Sequence, residues 1–246
     1  MEWVPEFYSR TGAWWGPAEA RVTDEDHRRV AALHRHAGAA PGRVLEIGAG
    51  YGATATATAR AGHAVTAVEI SDRADFAAGL AGDAGPGELT IIKGDFFTVR
   101  PEGPFDAVTY WDGFGVGSDA DQRRLLRRIA RDWLRPGGVA LLDVYNPFVW
   151  AAWHGDEEER LPRPDVGYAH HLYKRVTFDP VTCVATGTWW DADAPEEKIS
   201  QRLRCYTPAD LELLLEGTGL TLSAVEAGDL RQEENSSYRA VLRSPE

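Results

Sequence analysis

Three glycines stand at alternate positions directly behind a short apolar run in Val44-Leu45-Glu46-Ile47-Gly48-Ala49-Gly50-Tyr51-Gly52. Glycine at such a junction admits backbone angles closed to other residues. It also leaves the first N–H groups of a following helix open to a ligand. Residues 44–47 have the length and composition of a buried strand. Ala53–Ala61 reads as a helix stopped by Gly62, although its threonines at 54, 56 and 58 pull toward a strand. Strand, glycine turn and helix in that order open a parallel sheet with helical crossovers.

The alternation continues. Strands are predicted at 64–70, 89–92, 105–111 and 139–145. Helices are predicted from a cap at Asp72 to Leu80 and over Asp119–Leu134, closed by Pro136-Gly137-Gly138. Upstream, Thr23 with Asp26 three positions on starts a helix whose apolar face is Val30, Leu33 and Ala37, and Gly38 ends it. Past Pro147 the pattern changes. Residues 148–167, with the acidic run Asp156–Glu159, read as a loop or short helix. Tyr168–Phe178 and Thr182–Trp190 read as a hairpin joined at Asp179-Pro180, and Lys198–Tyr206 as a third extended segment. Thr207-Pro208 then starts a helix carrying Leu211, Leu214 and Leu215. Strands at 220–227 and 237–242 finish the chain. Four segments follow: an N-terminal helical cap (1–38), a core (39–147), an inserted antiparallel β lid (148–206) and a return to the core sheet (207–246).

The string Gly48-x-Gly50-x-x-Ala53 also satisfies the dinucleotide pattern. Three features weigh against a dinucleotide. Glu46, two residues before the first glycine, would repel a pyrophosphate but can hold an ammonium through ordered water. Gly52 adds a third glycine. Asp95 in Gly94-Asp95-Phe96 follows the third core strand, where it can accept from an adenine amino group while Phe96 offers its ring.

Together Glu46-x-Gly48-x-Gly50-x-Gly52, Glu69 ending the second strand, Gly94-Asp95-Phe96 and Leu134-Arg135-Pro136-Gly137-Gly138 resemble the class I S-adenosylmethionine-dependent methyltransferases. The resemblance covers about residues 40–146 and returns at 207–243. It implies a Rossmann-like α/β fold whose seven-stranded sheet has an antiparallel last strand, with S-adenosylmethionine as cofactor and S-adenosylhomocysteine as product. Glu69 would take both ribose hydroxyls, a role an anionic carboxylate suits, and Ile70 would pack on the adenine. Tyr8, Trp15, Ala49, Tyr110 and Trp111 complete the expected cofactor contacts.

The acceptor is read from what surrounds the core. Lys and Arg number 26 against 38 Asp and Glu, a net charge of −12, which disfavours a nucleic-acid partner. Tyr110-Trp111-Asp112-Gly113 stands where base N-methylating enzymes typically carry Asn/Asp-Pro-Pro-aromatic. Tryptophans at 14, 15, 150, 153, 189 and 190 suggest an apolar pocket for a small molecule, an N, O or C nucleophile of bacterial secondary metabolism. The segment order loosely resembles amino-sugar N-methyltransferases and glycine N-methyltransferase-like enzymes, which implies a homodimer. Candidates for a base or substrate contact are Asp112 at the end of the fourth strand, Tyr145 at the end of the fifth, and His154, His170 and His171 in the lid. No His-x-x-x-His or Cys-x-x-Cys spacing suggests a metal site, and Cys183 and Cys205 are expected as reduced thiols in strands. No apolar segment of ~20 residues occurs, so a soluble cytoplasmic protein with no membrane partner is expected. A non-methylating cofactor-binding protein or cyclase on the same scaffold stays open as an alternative. An NAD-type oxidoreductase is the more distant rival.

Overall fold

Strand and helix alternate behind the glycine turn in the computed structural model, which describes residues 3–244. The strands are β1 (Arg43–Ile47), β2 (Ala64–Glu69), β3 (Glu88–Lys93), β4 (Phe105–Phe114), β5 (Leu134–Tyr145), β6 (Glu157–Arg160), β7 (Leu172–Asp179), β8 (Val184–Asp191), β9 (Ala194–Arg204), β10 (Thr221–Glu226) and β11 (Ser237–Arg243). Seven of them form one sheet in the order β10-β11-β5-β4-β1-β2-β3, in which β11 alone runs against its neighbours. The chain starts in the middle at β1, steps outward to β3, then returns to β4 on the other side. That reversal opens a crevice at the carboxyl ends of β1 and β4, where ligands bind in sheets of this kind.

The helices are α1 (Trp3–Trp15), α2 (Asp24–Ala37), α3 (Ala53–Arg60), α4 (Arg73–Leu80), α5 (Asp119–Arg128), α6 (Pro147–Ala152) and α7 (Pro208–Leu215). On one face of the sheet, Leu33, Ala55 and Ala59 pack on Val44, Val65, Ala107 and Leu141. On the other, Leu125, Leu126, Ile129 and Leu211 pack on Leu45, Val108, Leu142 and Ala240. The central strands are therefore buried on both sides, which is why they read as apolar runs rather than as alternation. Reciprocal side-chain and backbone bonds cap α2 (Thr23 with Asp26), α5 (Ser118 with Asp121) and α7 (Thr207 with Asp210).

The inserted segment forms a second, four-stranded antiparallel sheet in the order β6-β7-β8-β9. Here the structure corrects the sequence reading: the acidic run is not loop but the edge strand β6, with Glu157, Glu158 and Glu159 opposite Arg175, Lys174 and Tyr173. Three further expectations are adjusted. The helix begun at Asp119 keeps its regular form only to Arg128 and widens over Ile129–Trp133. The Asp72 carboxylate, expected to cap α4, instead accepts from Lys93 Nζ at 2.8 Å. Cys183 sits in the β7–β8 turn at φ +49° and Cys205 just beyond β9; both are free thiols. The two sheets meet through α1: Val4 packs with Val116 and Val176, and Phe7 and Trp14 pack with Leu172 and Trp189.

Gly52 shows how tightly the glycine turn is built. Its φ is +76°, and a Cβ there would meet the Cβ of Ala77 at 2.7 Å and its Cα at 3.1 Å. Left-handed strain and overpacking act together. Gly52→Ala should therefore cost roughly 2–4 kcal/mol, read as a lower urea midpoint.

Candidate active site

A cavity of about 420 Å³ fills the crevice. Its floor is the glycine turn, where Gly48 (φ +63°) and Gly50 (φ +55°) are both left-handed. A Cβ on Gly48 would stand 2.7 Å from Cε2 of Tyr110, whereas the space above Gly50 is open. The first glycine thus admits the Tyr110 ring, and the second leaves its backbone accessible from the cavity.

Glu69 ends β2 and is 5% exposed. One carboxylate oxygen accepts from Gly50 N at 2.8 Å; the other accepts from Ser71 N at 2.8 Å and Ser71 Oγ at 2.6 Å. The carboxylate is thus fixed by protein donors and still lines the cavity. This revises the view of Glu69 as a purely ligand-serving side chain, since it also ties the glycine turn to the loop after β2. Asp95 Oδ1 accepts from Phe97 N at 2.7 Å, which curls the loop after β3. The rings of Phe96 and Tyr110 meet edge to face at 5.8 Å.

Charge gathers on the opposite wall. Glu46 is 2% exposed, and burial pushes its carboxyl up to about 8 against the pull of Arg29. Arg29, from α2, ion-pairs with Asp112, lies 3.7 Å from Asp143, and donates to Thr54 Oγ1 at 3.3 Å. Asp143 is raised to about 6, first by burial and then by the charge of Asp112. The Trp111 indole is held between two guanidiniums, with Arg29 at 5.4 Å and Arg239 at 4.8 Å from its ring. Arg29 Nε faces the Glu25 carboxylate at 3.7 Å, the Trp111 indole N–H faces the Glu46 carboxyl, and Trp15 Nε1 is buried without a hydrogen-bond partner.

Of the expected cofactor set, Tyr8, Trp15, Glu46, Gly48, Ala49, Gly50, Glu69, Ile70, Asp95, Phe96, Tyr110 and Trp111 line this cavity. Gly52 and Gly94 lie behind the lining. Gly52 faces Ala77, and Gly94 faces Val99 and donates its N–H to Glu69 O at 2.8 Å. Among the base candidates only Asp112 lines the cavity. It adopts a left-handed φ of +49°, and its carboxylate is held by Arg29. Tyr145 is buried beneath and donates its hydroxyl to the Asp112 carbonyl. The three histidines are taken up in the lid. His154 Nδ1 accepts from Phe178 N at 2.9 Å, His170 meets Asp191 at 2.7 Å, and His171 meets Glu159 at 2.8 Å. Sequence reasoning missed Arg29 and Arg73, which also line the cavity. Neither stands in a motif, and only helix packing brings them there.

A family model for the methyltransferase domain matches residues 22–225. The chain belongs to the methyltransferase-domain family. This family member is 34% identical over 116 residues to the cypemycin N-terminal methyltransferase of a Streptomyces species, a match covering 46% of each chain. It is 46% identical over 63 residues to ribosomal RNA small subunit methyltransferase A of Novosphingobium aromaticivorans, covering 26% of this chain and 23% of that one. The chain thus matches less than half the length of either curated relative. Among solved structures, the CcbJ methyltransferase from Streptomyces caelestis has a TM-score of 0.73 at 23% identity, covering 99% of this chain and 96% of that one. An S-adenosylmethionine-dependent methyltransferase from Clostridium acetobutylicum has a TM-score of 0.70 at 13% identity, covering 98% and 100%. These likenesses extend through the lid and show that the whole fold, insertion included, is shared.

The raised Glu46 carboxyl gives the ligand-free methyltransferase-family chain a pH signature. The folded state holds a proton that the unfolded state releases near its ordinary 4.5. Stability from this group therefore falls as pH rises from about 4.5 to about 8 and is flat above. Glu46→Gln should flatten that slope and raise Tm at pH 8, as thermal melts of both proteins across pH would show.

Proposed function

We propose that this chain transfers a methyl group from S-adenosylmethionine to an amine of a small molecule. The observation that carries the reading is one cavity lined at once by a buried carboxyl beside the glycine turn (Glu46), a fixed carboxylate ending β2 (Glu69) and the Asp95-Phe96 pair after β3. The cofactor's sulfonium supplies an activated methyl group. With three donors already on the carboxylate, Glu69 keeps one lone-pair site, on the oxygen facing Gly50 N, for a ribose hydroxyl. Asp95 and Phe96 suit an adenine, and Glu46 suits the ammonium of the amino-acid tail. Trp15 Nε1 is a donor left for an acceptor group that a ligand brings.

An amine is favoured over a hydroxyl by the character of the remaining wall. The Tyr8, Trp15 and Trp111 rings already carry the guanidiniums of Arg73 and Arg29, and Asp112 offers a carboxylate at the rim that suits an N–H-bearing group. Because Arg29 holds Asp112, that carboxylate orients the amine rather than serving as a strong base. An amine in its neutral form needs only alignment with the donor and exclusion of water. The relatives point the same way: one is named for N-terminal methylation, and CalS10 of Micromonospora echinaspora is described as an amino pentose methyltransferase, with a TM-score of 0.59 at 20% identity over 99% of this chain and 96% of that one. Net charge −12 favours a small molecule over nucleic acid. Among the described residues no helix is long and apolar enough to cross a membrane. A cytoplasmic homodimer paired through the lid completes the proposal, and light scattering that reports a monomer at tens of micromolar would refute the pairing.

Two measurements test the reaction. Glu69→Ala should weaken S-adenosylhomocysteine binding by roughly 1.5–3 kcal/mol in calorimetry, with a loss of Tm because Gly50 and Ser71 lose their acceptor. Equal affinity in variant and wild type would move the cofactor elsewhere. Asp112→Asn, assayed against a panel of amino sugars and peptide N-terminal amines, should lower kcat/KM about tenfold or more while S-adenosylhomocysteine affinity holds.

A further inference from the structure

Arg73 opens α4, four residues after Glu69 ends β2, yet its side chain is spent on α1. Nε donates to the Tyr8 carbonyl at 3.1 Å and Nη2 to Thr11 Oγ1 at 2.7 Å. The guanidinium lies 5.2 Å from the Tyr8 ring, 5.0 Å from Trp15 and 5.1 Å from Tyr51. Such a planar cation between π faces is attracted to each of them while its edge donors stay free. The helix is cut to receive it: a Cβ on Gly12 would stand 2.8 Å from Cγ of Arg73 and 3.2 Å from its Nε. Glycine in a helix interior costs stability, so a glycine there marks a close approach.

The same helix is fastened to both cofactor loops. Tyr51 of the glycine turn donates its hydroxyl to Gly12 O at 2.9 Å, and Asp72 N, in the loop after β2, donates to Ser9 Oγ at 3.1 Å. Toward the lid, Arg10 pairs with Glu197 at 2.5 Å, and the Tyr8 hydroxyl reaches Gln201 Oε1 at 3.4 Å. Tyr8 and Trp15, the two rings that α1 contributes to the cavity, are therefore set by contacts that begin in the loops beneath the cavity.

We infer that Arg73 is a positioning residue: seated in the Gly12 notch, it locks α1 so that Tyr8 and Trp15 form the acceptor-facing wall, in register with the two loops that hold the cofactor. This rests on the proposed cofactor only for the second half of the statement. The lock itself is a property of the ligand-free chain. An ordered loop pair beneath then means an ordered wall above, and a ligand that stabilises the loops stabilises α1 through Arg73.

Hydrogen–deuterium exchange of the full chain, with and without S-adenosylhomocysteine, tests both halves using wild type, Arg73→Ala and Gly12→Ala. Without ligand, amides of residues 3–15 should exchange roughly tenfold faster in both variants, with β1 and β5 unchanged. Gly12→Ala is the sharper case, because alanine raises helix propensity and on local grounds alone should slow exchange. With S-adenosylhomocysteine, wild type should gain protection over 3–15. Arg73→Ala, held at a concentration of S-adenosylhomocysteine that saturates it, should gain little protection there. Wild-type exchange over 3–15 in either ligand-free variant overturns the lock. Affinity lost in Arg73→Ala with α1 exchange unchanged makes Arg73 a direct ligand contact and also overturns it. If S-adenosylhomocysteine does not bind wild type, the cofactor reading fails, and the ligand-free exchange still decides the lock.

Discussion

The Glu69 carboxylate, buried at the end of β2 with Gly50 N, Ser71 N and Ser71 Oγ all directed at it, joins the glycine turn to the loop after β2. A buried carboxylate is tolerable only when its lone pairs are satisfied. The cheapest donors here are backbone N–H groups exposed by a left-handed turn, which requires Gly48 and Gly50. From this follow the shape of the crevice floor, the position of Tyr110 above Gly48, and the path of the loop that delivers Arg73 to α1. A single anionic group thus sets the geometry on which floor and cap both depend.

Electrostatics divides the cavity into unlike halves. At the β2 and β3 side the carboxylates are bonded to backbone and anchored. At the β1 and β4 side Glu46 and Asp112 stand with Arg29, which also lies 3.7 Å from Asp143 outside the lining, and burial raises the Glu46 and Asp143 carboxyls. The first half suits a polar ligand held in one pose.

The core of this arrangement was legible in the chain because it follows local rules. Glycine spacing, capping residues and buried-strand runs each report on a few neighbouring positions. The alternating strands and helices, the hairpin and the cap of α2 follow from them, while the seven-stranded sheet comes only with the family resemblance. What could not be read depends on distant partners. Glu157–Glu159 look like a solvated loop until Arg175 and Lys174 are known to lie across from them. The lid histidines looked available until Phe178 N, Asp191 and Glu159 were seen to occupy them. Arg29 sits on a charged helix stretch like any solvated arginine. Nothing in its neighbours shows that the helix turns it inward onto Trp111. Glu69 was read as a ligand contact, and its second duty to Gly50 and Ser71 appears only when the loops are folded together.

The lid leaves and re-enters the core at one point. Tyr145 ends β5, the chain runs through residues 146–205, and Tyr206 N then bonds back to Tyr145 O at 3.1 Å. An excursion whose two ends coincide places no tension on the sheet that hosts it, whatever its length. Among the described residues none of 146–206 lines the cavity, so substitution or lengthening within it reaches the cavity indirectly, through α1, whose Tyr8 it contacts, and hardly at all through the glycine turn of the floor. The fold is thus a fixed socket whose α1 wall leans on a replaceable support, so the wall can shift with that support while the glycine turn and the Glu69 bonds stay as they are.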